Sequence, residues 1–208
     1  MLHDLIAKGE GTHLEFKRTI DSAAKIAKTL AAFANTAGGL LLVGVQDNGH
    51  VQGIASEQQE MEKIEEAADR LCDPPLSLAY EVRLSEGKSV LLIRVAESED
   101  KPHSVRDTHG NRVTYVRVRD KSVPAGRRMA DILRTVQRDA DPALVQSGKV
   151  KGLLAYLRAN GSINTKRFAR LINVSERRAL KMLTELARHN VLLLHEQHNH
   201  VSYHLKRQ

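Results

Sequence analysis

A short polar stretch limits the fold more than any other part of the chain. Arg138-Asp139-Ala140-Asp141-Pro142 carries a proline and separates two segments whose apolar residues repeat with different periods. Upstream, strand-like alternation interleaves with helical spacing. Downstream the pattern is helical until a final pair of short strands. A chain of 208 residues is long enough for two cores. The sequence therefore predicts a first domain over residues 1–137, a linker over 138–148 and a second domain over 149–208.

In the first segment, His13 to Lys17 alternates like an edge strand, and Asp21 is placed to cap a helix. Ala23, Ile26, Ala27, Leu30 and Ala34 give that helix one apolar face, and Gly38-Gly39 stops it. Leu40 to Val45 reads as a buried strand, and Asp47-Asn48-Gly49 turns the chain into a second strand, Val51 to Ile54. A helix over Ser56–Leu71 ends at Pro74-Pro75. Strands follow near 76–84, 90–95 and 112–119, and a helix runs from Pro124 to about Gln137. This mixed order predicts an α+β domain with a mostly antiparallel sheet.

The second segment reads as helix, helix, turn, helix, hairpin. Val150, Leu153, Leu154 and Leu157 line the first helix. Thr165 caps a second helix lined by Phe168, Leu171 and Ile172. Asn173-Val174 turns into a third helix, Glu176 to Asn190, capped by Ser175 and burying Leu180, Leu183, Leu186 and Ala187. Strands Leu192–Glu196 and Val201–Leu205 flank the tip Gln197-His198-Asn199. That is the order of a winged helix domain.

Charge sorts the two segments by partner. Residues 149–208 hold 12 Lys or Arg against 3 acids, a net of +9, whereas residues 1–148 hold 20 against 22, a net of −2. A basic excess confined to one domain points to a polyanion, with duplex DNA favoured over RNA. In a winged helix the helix after the turn enters the major groove. Its apolar stripe leaves Arg177, Arg178, Lys181, Thr184 and Arg188 outward, and the preceding helix adds Lys166, Arg167 and Arg170. His198, His200 and Lys206-Arg207 add to the same charge. Binding of this kind requires no cofactor, and paired half-sites would call for a homodimer. The longest apolar run, Leu40 to Val45, is far too short to cross a membrane. A single cysteine, Cys72, excludes an internal disulfide and a thiolate zinc cluster. The expected location is the cytoplasm.

Three ordered motifs carry a family resemblance. Glu10-Gly-Thr-His-Leu-Glu15-Phe16-Lys17, then Ala32-Phe33-Ala34-Asn35-Thr36-Ala37-Gly38-Gly39, then Val43-Gly44-Val45-Gln46-Asp47-Asn48-Gly49 with Gly53, resemble the Schlafen/AlbA-like domain over roughly residues 1–136. Tyr115-Val116-Arg117-Val118 looks like its closing strand. The resemblance implies a C-terminal winged helix and a role as a DNA-binding transcriptional regulator. The first domain would then contact nucleic acid itself through Lys17, Arg18, Arg117 and Arg119, or sense a ligand. Some members are labelled ATP-binding, as a divergent AAA group, but no glycine-rich loop followed by Lys-Ser/Thr occurs here. Two positions depart from the family pattern. Arg119 stands where a small residue or glycine usually follows the closing strand, and one cysteine cannot reproduce the zinc site of animal members.

The resemblance also implies a second reading, that of a ribonuclease or tRNA-directed nuclease. Its three acids would be Glu10, Glu15 and Asp47, holding Mg²⁺ or Mn²⁺, with Lys17 on the phosphate. Residues five apart on a continuous strand face opposite sides, so Glu10 joins Glu15 only where Gly11 turns the chain. Against this stand plainer roles. Glu15 pairs with Lys17 or another basic residue, Asp47 caps a turn, Asn35 satisfies backbone groups at a helix end, and His103 is a loop residue.

Overall fold

A computed structural model of the chain describes residues 2–107, 109–136, 146–197 and 200–206. The chain divides into two compact units, Met1–Pro124 and Ala125–Gln208.

The first unit is α+β and mostly antiparallel, as its element order predicts, but its strands are shared between two sheets. In one, β1 (Leu14–Lys17) runs parallel to β2 (Gly39–Val43). β5 (Lys88–Val95) and β4 (Leu78–Ser85) then complete the order β1-β2-β5-β4 with antiparallel pairings. In the other, β3 (Cys72–Asp73), β6 (Ser104–Arg106), β7 (Arg112–Val118) and β8 (Lys121–Pro124) are antiparallel throughout. The expected strand Val51–Ile54 shrinks to one bridge, Val45 to Val51. Gly44 at φ +101° and Gly53 at φ +79° take the chain out of extended geometry on either side of it.

Helix α2 (Ala23–Asn35) is buried far beyond one face, with every residue from Thr29 to Asn35 inside. A helix that is apolar all round belongs in a core. Here Ala27, Ala31, Ala32 and Ala34 are small enough to let neighbours approach from several sides. α2 touches β7, β6, α3 (Glu57–Glu65) and the π-helical segment Glu66–Leu71 that continues α3. Ser22 rather than Asp21 caps it, its Oγ accepting from the Lys25 N–H at 3.2 Å, while Asp21 pairs with Lys25 at 3.6 Å. Beyond its end, Gly38 takes φ +69° and packs so tightly that a Cβ there would lie 2.8 Å from the Val95 carbonyl oxygen.

β2 leaves that turn between two apolar layers. Leu41 and Val43 join the core around α2, whereas Leu40 and Leu42 join Phe16, Val90 and Leu92 beneath α1 (Leu2–Ala7). Burial on both faces explains why Leu40 to Val45 reads as an unbroken apolar run.

The second unit contains α4 (Arg127–Arg134), α5 (Gly148–Asn160), α6 (Thr165–Leu171), α7 (Glu176–Arg188) and the hairpin β9 (Leu192–Gln197) with β10 (His200–Leu205). Ser147, Asn164 and Ser175 cap α5, α6 and α7, so the cap of α6 precedes the expected Thr165 by one residue. The core holds Val150, Leu153, Leu157, Phe168, Leu183, Leu186, Leu194 and Tyr203. Ala179 is buried on α7, while Leu180, expected inside, is 39% exposed. The sequence reading places α4 in the first domain. It groups instead with the second unit, touching α7 and β9 and burying Met129, Ile132 and Leu133. Most of the expected linker (138–145), His198, Asn199 and Arg207 lie outside the described residues. Among the described residues no helix is long and apolar enough to cross a membrane.

Candidate functional site

Two groups of candidate residues can be tested by geometry: the acids near β1 and the basic residues of α6 and α7.

β1 begins at Leu14, so Glu10 precedes the strand. Gly9 takes φ +70° and the Gly11 N–H bonds the Leu14 carbonyl at 2.9 Å, which folds residues 9–13 back over the strand start. The turn expected at Gly11 is thus closed by its own N–H, whereas the left-handed Gly9 ends α1, its N–H bonding the Ile6 carbonyl at 3.0 Å. Within it, Glu10 Oε1 accepts from the Phe16 N–H at 2.8 Å. Glu15 is buried, and both its oxygens are taken. Oε1 meets Lys17 Nζ at 2.5 Å and Oε2 meets Arg117 Nη1 at 2.9 Å.

Arg117 comes from β7 and is 1% exposed. Nη1 also donates to Ser122 Oγ at 3.1 Å, Nη2 donates to the Gly11 carbonyl at 2.6 Å, and the guanidinium stacks 4.8 Å from the Phe33 ring centroid. Its own N–H bonds Thr36 Oγ1 at 2.9 Å. The expectation that Arg117 meets nucleic acid is therefore corrected: it is an internal clamp. Alternation along Val113, Tyr115 and Arg117 carried the signal, because it puts Arg117 on the buried face of Tyr115. Lys17 is likewise committed, to Glu15 and to the Phe16 carbonyl at 2.8 Å. Arg18 and Arg119 remain exposed. Arg119 holds φ +58° in the turn between β7 and β8, the backbone conformation that glycine adopts at least cost.

The three acids share a neighbourhood without converging. Burial pushes the Glu10 carboxyl up. The Phe16 N–H and Lys17 oppose the rise, and the charges of Glu15 and Asp47 add to it. Asp47 is exposed in the turn closed by Gly49 N–H to the Gln46 carbonyl. Among the described residues no group of three or more His, Cys, Asp or Glu side chains is placed to hold a metal ion. Mg²⁺ or Mn²⁺ would have to displace Arg117 and Lys17 from Glu15, so this donor set does not fit the ion.

Asn35 has the plainer role: its Nδ2 donates to the carbonyls of His103 and Tyr115 at 2.8 and 2.9 Å, and its Oδ1 accepts from the His103 N–H at 2.8 Å. It ties the end of α2 to the second sheet. His103 is a loop residue as expected, just before β6, but a buried one at 2% exposure, with Nδ1 2.7 Å from the Pro74 carbonyl and Nε2 buried without a partner among the described residues. Burial pushes its pKa down. The unfolded chain thus takes up a proton at higher pH than the folded one. Stability is full above about pH 6.5, the unfolded value, and falls as acid is added through the lowered folded value. Replacing His103 with Gln should flatten this slope in urea titrations carried from neutral pH into the acid range. An unchanged slope would assign it to other groups.

On α6 and α7 the picture is more open. Lys166, Arg167 and Arg170 are exposed, as are Arg177, Arg178 and Lys181. None of the six meets a carboxylate in an ion pair among the described residues, and Arg167 lies over the Tyr156 ring at 5.8 Å. Thr184 departs from this set in being only partly exposed, whereas Arg188 is exposed as expected but lies beside a carboxylate. With Leu180 they line a cleft of about 430 Å³ shared with Arg128, Asp131, Ile132 and Thr135 of the α4 region and with Leu194 and Tyr203. Arg188 also sits 3.5 Å from Glu185. α4 therefore occupies the side of α7 on which the sequence reading left Thr184 outward. Lys206 is buried.

The family described as Schlafen, AlbA_2 matches residues 10–126, ending two residues past the boundary between the units. No curated protein shows significant similarity. Among solved structures, the DIP2311 protein from Corynebacterium diphtheriae is similar at 20% identity and a TM-score of 0.46, over 69% of this chain and 37% of its own. The N-terminal domain of an ATP-dependent DNA helicase RecG-related protein from Nitrosomonas europaea is similar at 23% identity and a TM-score of 0.43, over 51% of this chain and 81% of that domain. This chain thus spans little more than a third of the Corynebacterium protein. With more than half of its residues inside the family match, the chain belongs to the Schlafen AlbA_2 family.

Proposed function

We propose that this is a nucleic-acid-binding protein that regulates transcription, with residues 149–208 forming a winged helix that lays α7 in the major groove of duplex DNA. The observation that carries the reading is the cluster of six exposed basic side chains on α6 and α7, free of carboxylate partners among the described residues. Membership of the Schlafen AlbA_2 family supports nucleic acid as the partner. Arg177 and Arg178 stand near the N-terminus of α7, the part of a recognition helix that reaches base edges, while Lys166, Arg167 and Arg170 on α6 suit the phosphate backbone.

Such binding releases counterions, so log K should fall with log salt by about 0.9 per phosphate contact. Six contacts would cost roughly a thousandfold between 50 and 200 mM salt. Fluorescence anisotropy of the intact chain with labelled duplex DNA and with RNA of equal length reads this directly. Binding insensitive to salt would overturn the proposal, and preference for RNA would overturn its DNA part. The nuclease reading has less support, because Glu15 is held by two cations and the acids do not converge on an ion.

A further inference from the structure

β4 is the last strand of its sheet. It pairs with β5 without interruption from Leu78 opposite Val95 to Ser85 opposite Lys88, and its other edge has no strand partner among the described residues. Open edges of this length are usually interrupted by proline, a bulge or repelling charges. β4 has no proline and no residue of positive φ. On one face, Leu78 and Tyr80 pack on the core, while Val82 and Leu84 continue the same face into solvent at 40% and 74% exposure. On the other face, Glu81 and Arg83 pair with each other, Nε to Oε1 at 2.6 Å and Nη2 to Oε2 at 3.1 Å.

We propose that β4 pairs antiparallel with β4 of a second copy of this chain, about a two-fold axis at Val82, and that this edge is the homodimer interface. The sequence of the strand is complementary to itself in that register and in no neighbouring one. With Val82 on the axis, Glu81 lies opposite Arg83 of the second copy and Arg83 opposite its Glu81. Tyr80 lies opposite Leu84 of the second copy, and Val82 opposite its own counterpart. Opposite residues of an antiparallel pair share a face, so the charges meet on one side and the apolar side chains on the other. Moving the axis to residue 81 sets Glu81 against Glu81, and moving it to residue 83 sets Arg83 against Arg83. Placing it between residues sets polar against apolar. A strand bearing only lysines would repel its copy, whereas this strand carries one charge of each sign at the spacing that two-fold symmetry exchanges. The interface is isologous. It stands independently of what α7 binds, although two copies of α7 suit paired half-sites.

Sedimentation velocity of the full chain at micromolar concentration tests the pairing. A species of two 23.1 kDa chains is expected. Glu81→Arg alone and Arg83→Glu alone each set four like charges together and should weaken association at least tenfold. The double variant restores opposite pairing and should restore the dimer. Val82→Cys should cross-link to its own counterpart under a mild oxidant, whereas the wild type should not, since Cys72 is buried and its thiol is pushed up to about 12. A monomeric wild type, a dimer that ignores both single reversals, or a double variant that stays dissociated would each overturn the proposal.

Discussion

Arg117→Ala should lower the stability of the first unit by about 3–5 kcal/mol, the usual cost of removing one member of a buried ion pair. In a unit of this size that is a fall in Tm of roughly 10–20 °C. Glu15 would be left buried with only Lys17 beside it, and the Gly11 carbonyl and Ser122 hydroxyl would lose their donor. Arg117→Lys should recover part of the loss, because an ammonium keeps the charge but cannot serve three acceptors in the geometry of a guanidinium fork. The informative variant is the double one. Arg117 Nε is buried without a partner among the described residues, so the pair is imperfectly satisfied. Replacing both members, as in Glu15→Leu with Arg117→Met, should cost clearly less than the two single changes added together. Denaturant unfolding of the four proteins gives the coupling. Additive losses would show that Glu15 and Arg117 stabilise the fold through other neighbours.

The second large effect concerns binding rather than stability. Changing Arg177, Arg178 and Lys181 together to Ala should weaken affinity for duplex DNA by at least a hundredfold, since a single arginine contact to a base edge is worth about 1–3 kcal/mol. The slope of log K against log salt should become shallower by about 0.9 for each phosphate that is no longer neutralised. Helical content should hold, because α7 is fixed by Ala179, Leu183, Leu186 and Ala187 and none of these is touched. Thr184→Ala and Arg188→Ala are the matched controls. Both side chains line the cleft toward α4, so their effect on affinity should stay within a few-fold. Equal effects from the controls and the triple variant would mean that α7 does not present the face described.

What could be read from the sequence follows from the range of the interactions involved. The element order of residues 149–208, the start of α3 beside Ser56 and the cap at Ser175 depend on neighbours a few positions away, and local pattern is sensitive to those. The choice of Ser22 over Asp21 as cap shows the limit of such reading, because either side chain can accept from the first turn and only the backbone geometry decides. The division into two sheets was not legible, since β3 pairs with β6 across some thirty residues and carries no alternation of its own at two residues long. Nor was the allegiance of α4. Its apolar stripe announces a buried face without naming the surface that buries it. At the acidic site the same limit applies with more effect. Resemblance identifies the residues of the Glu-Phe-Lys motif, but the partner that fixes Glu15 lies 102 positions away in β7.

That separation has a consequence for synthesis. A chain emerging from the ribosome presents Glu15, α2 and β2 long before residue 117 exists. Until β7 arrives, the carboxylate must stay hydrated, and the Asn35 amide and Thr36 hydroxyl must wait for Tyr115 and Arg117. The amino-terminal half therefore lacks these polar partners while it is being made. Complete ordering of the first unit is therefore expected only once the polypeptide has grown past Ser122, which the turn at Arg119 brings beside Arg117.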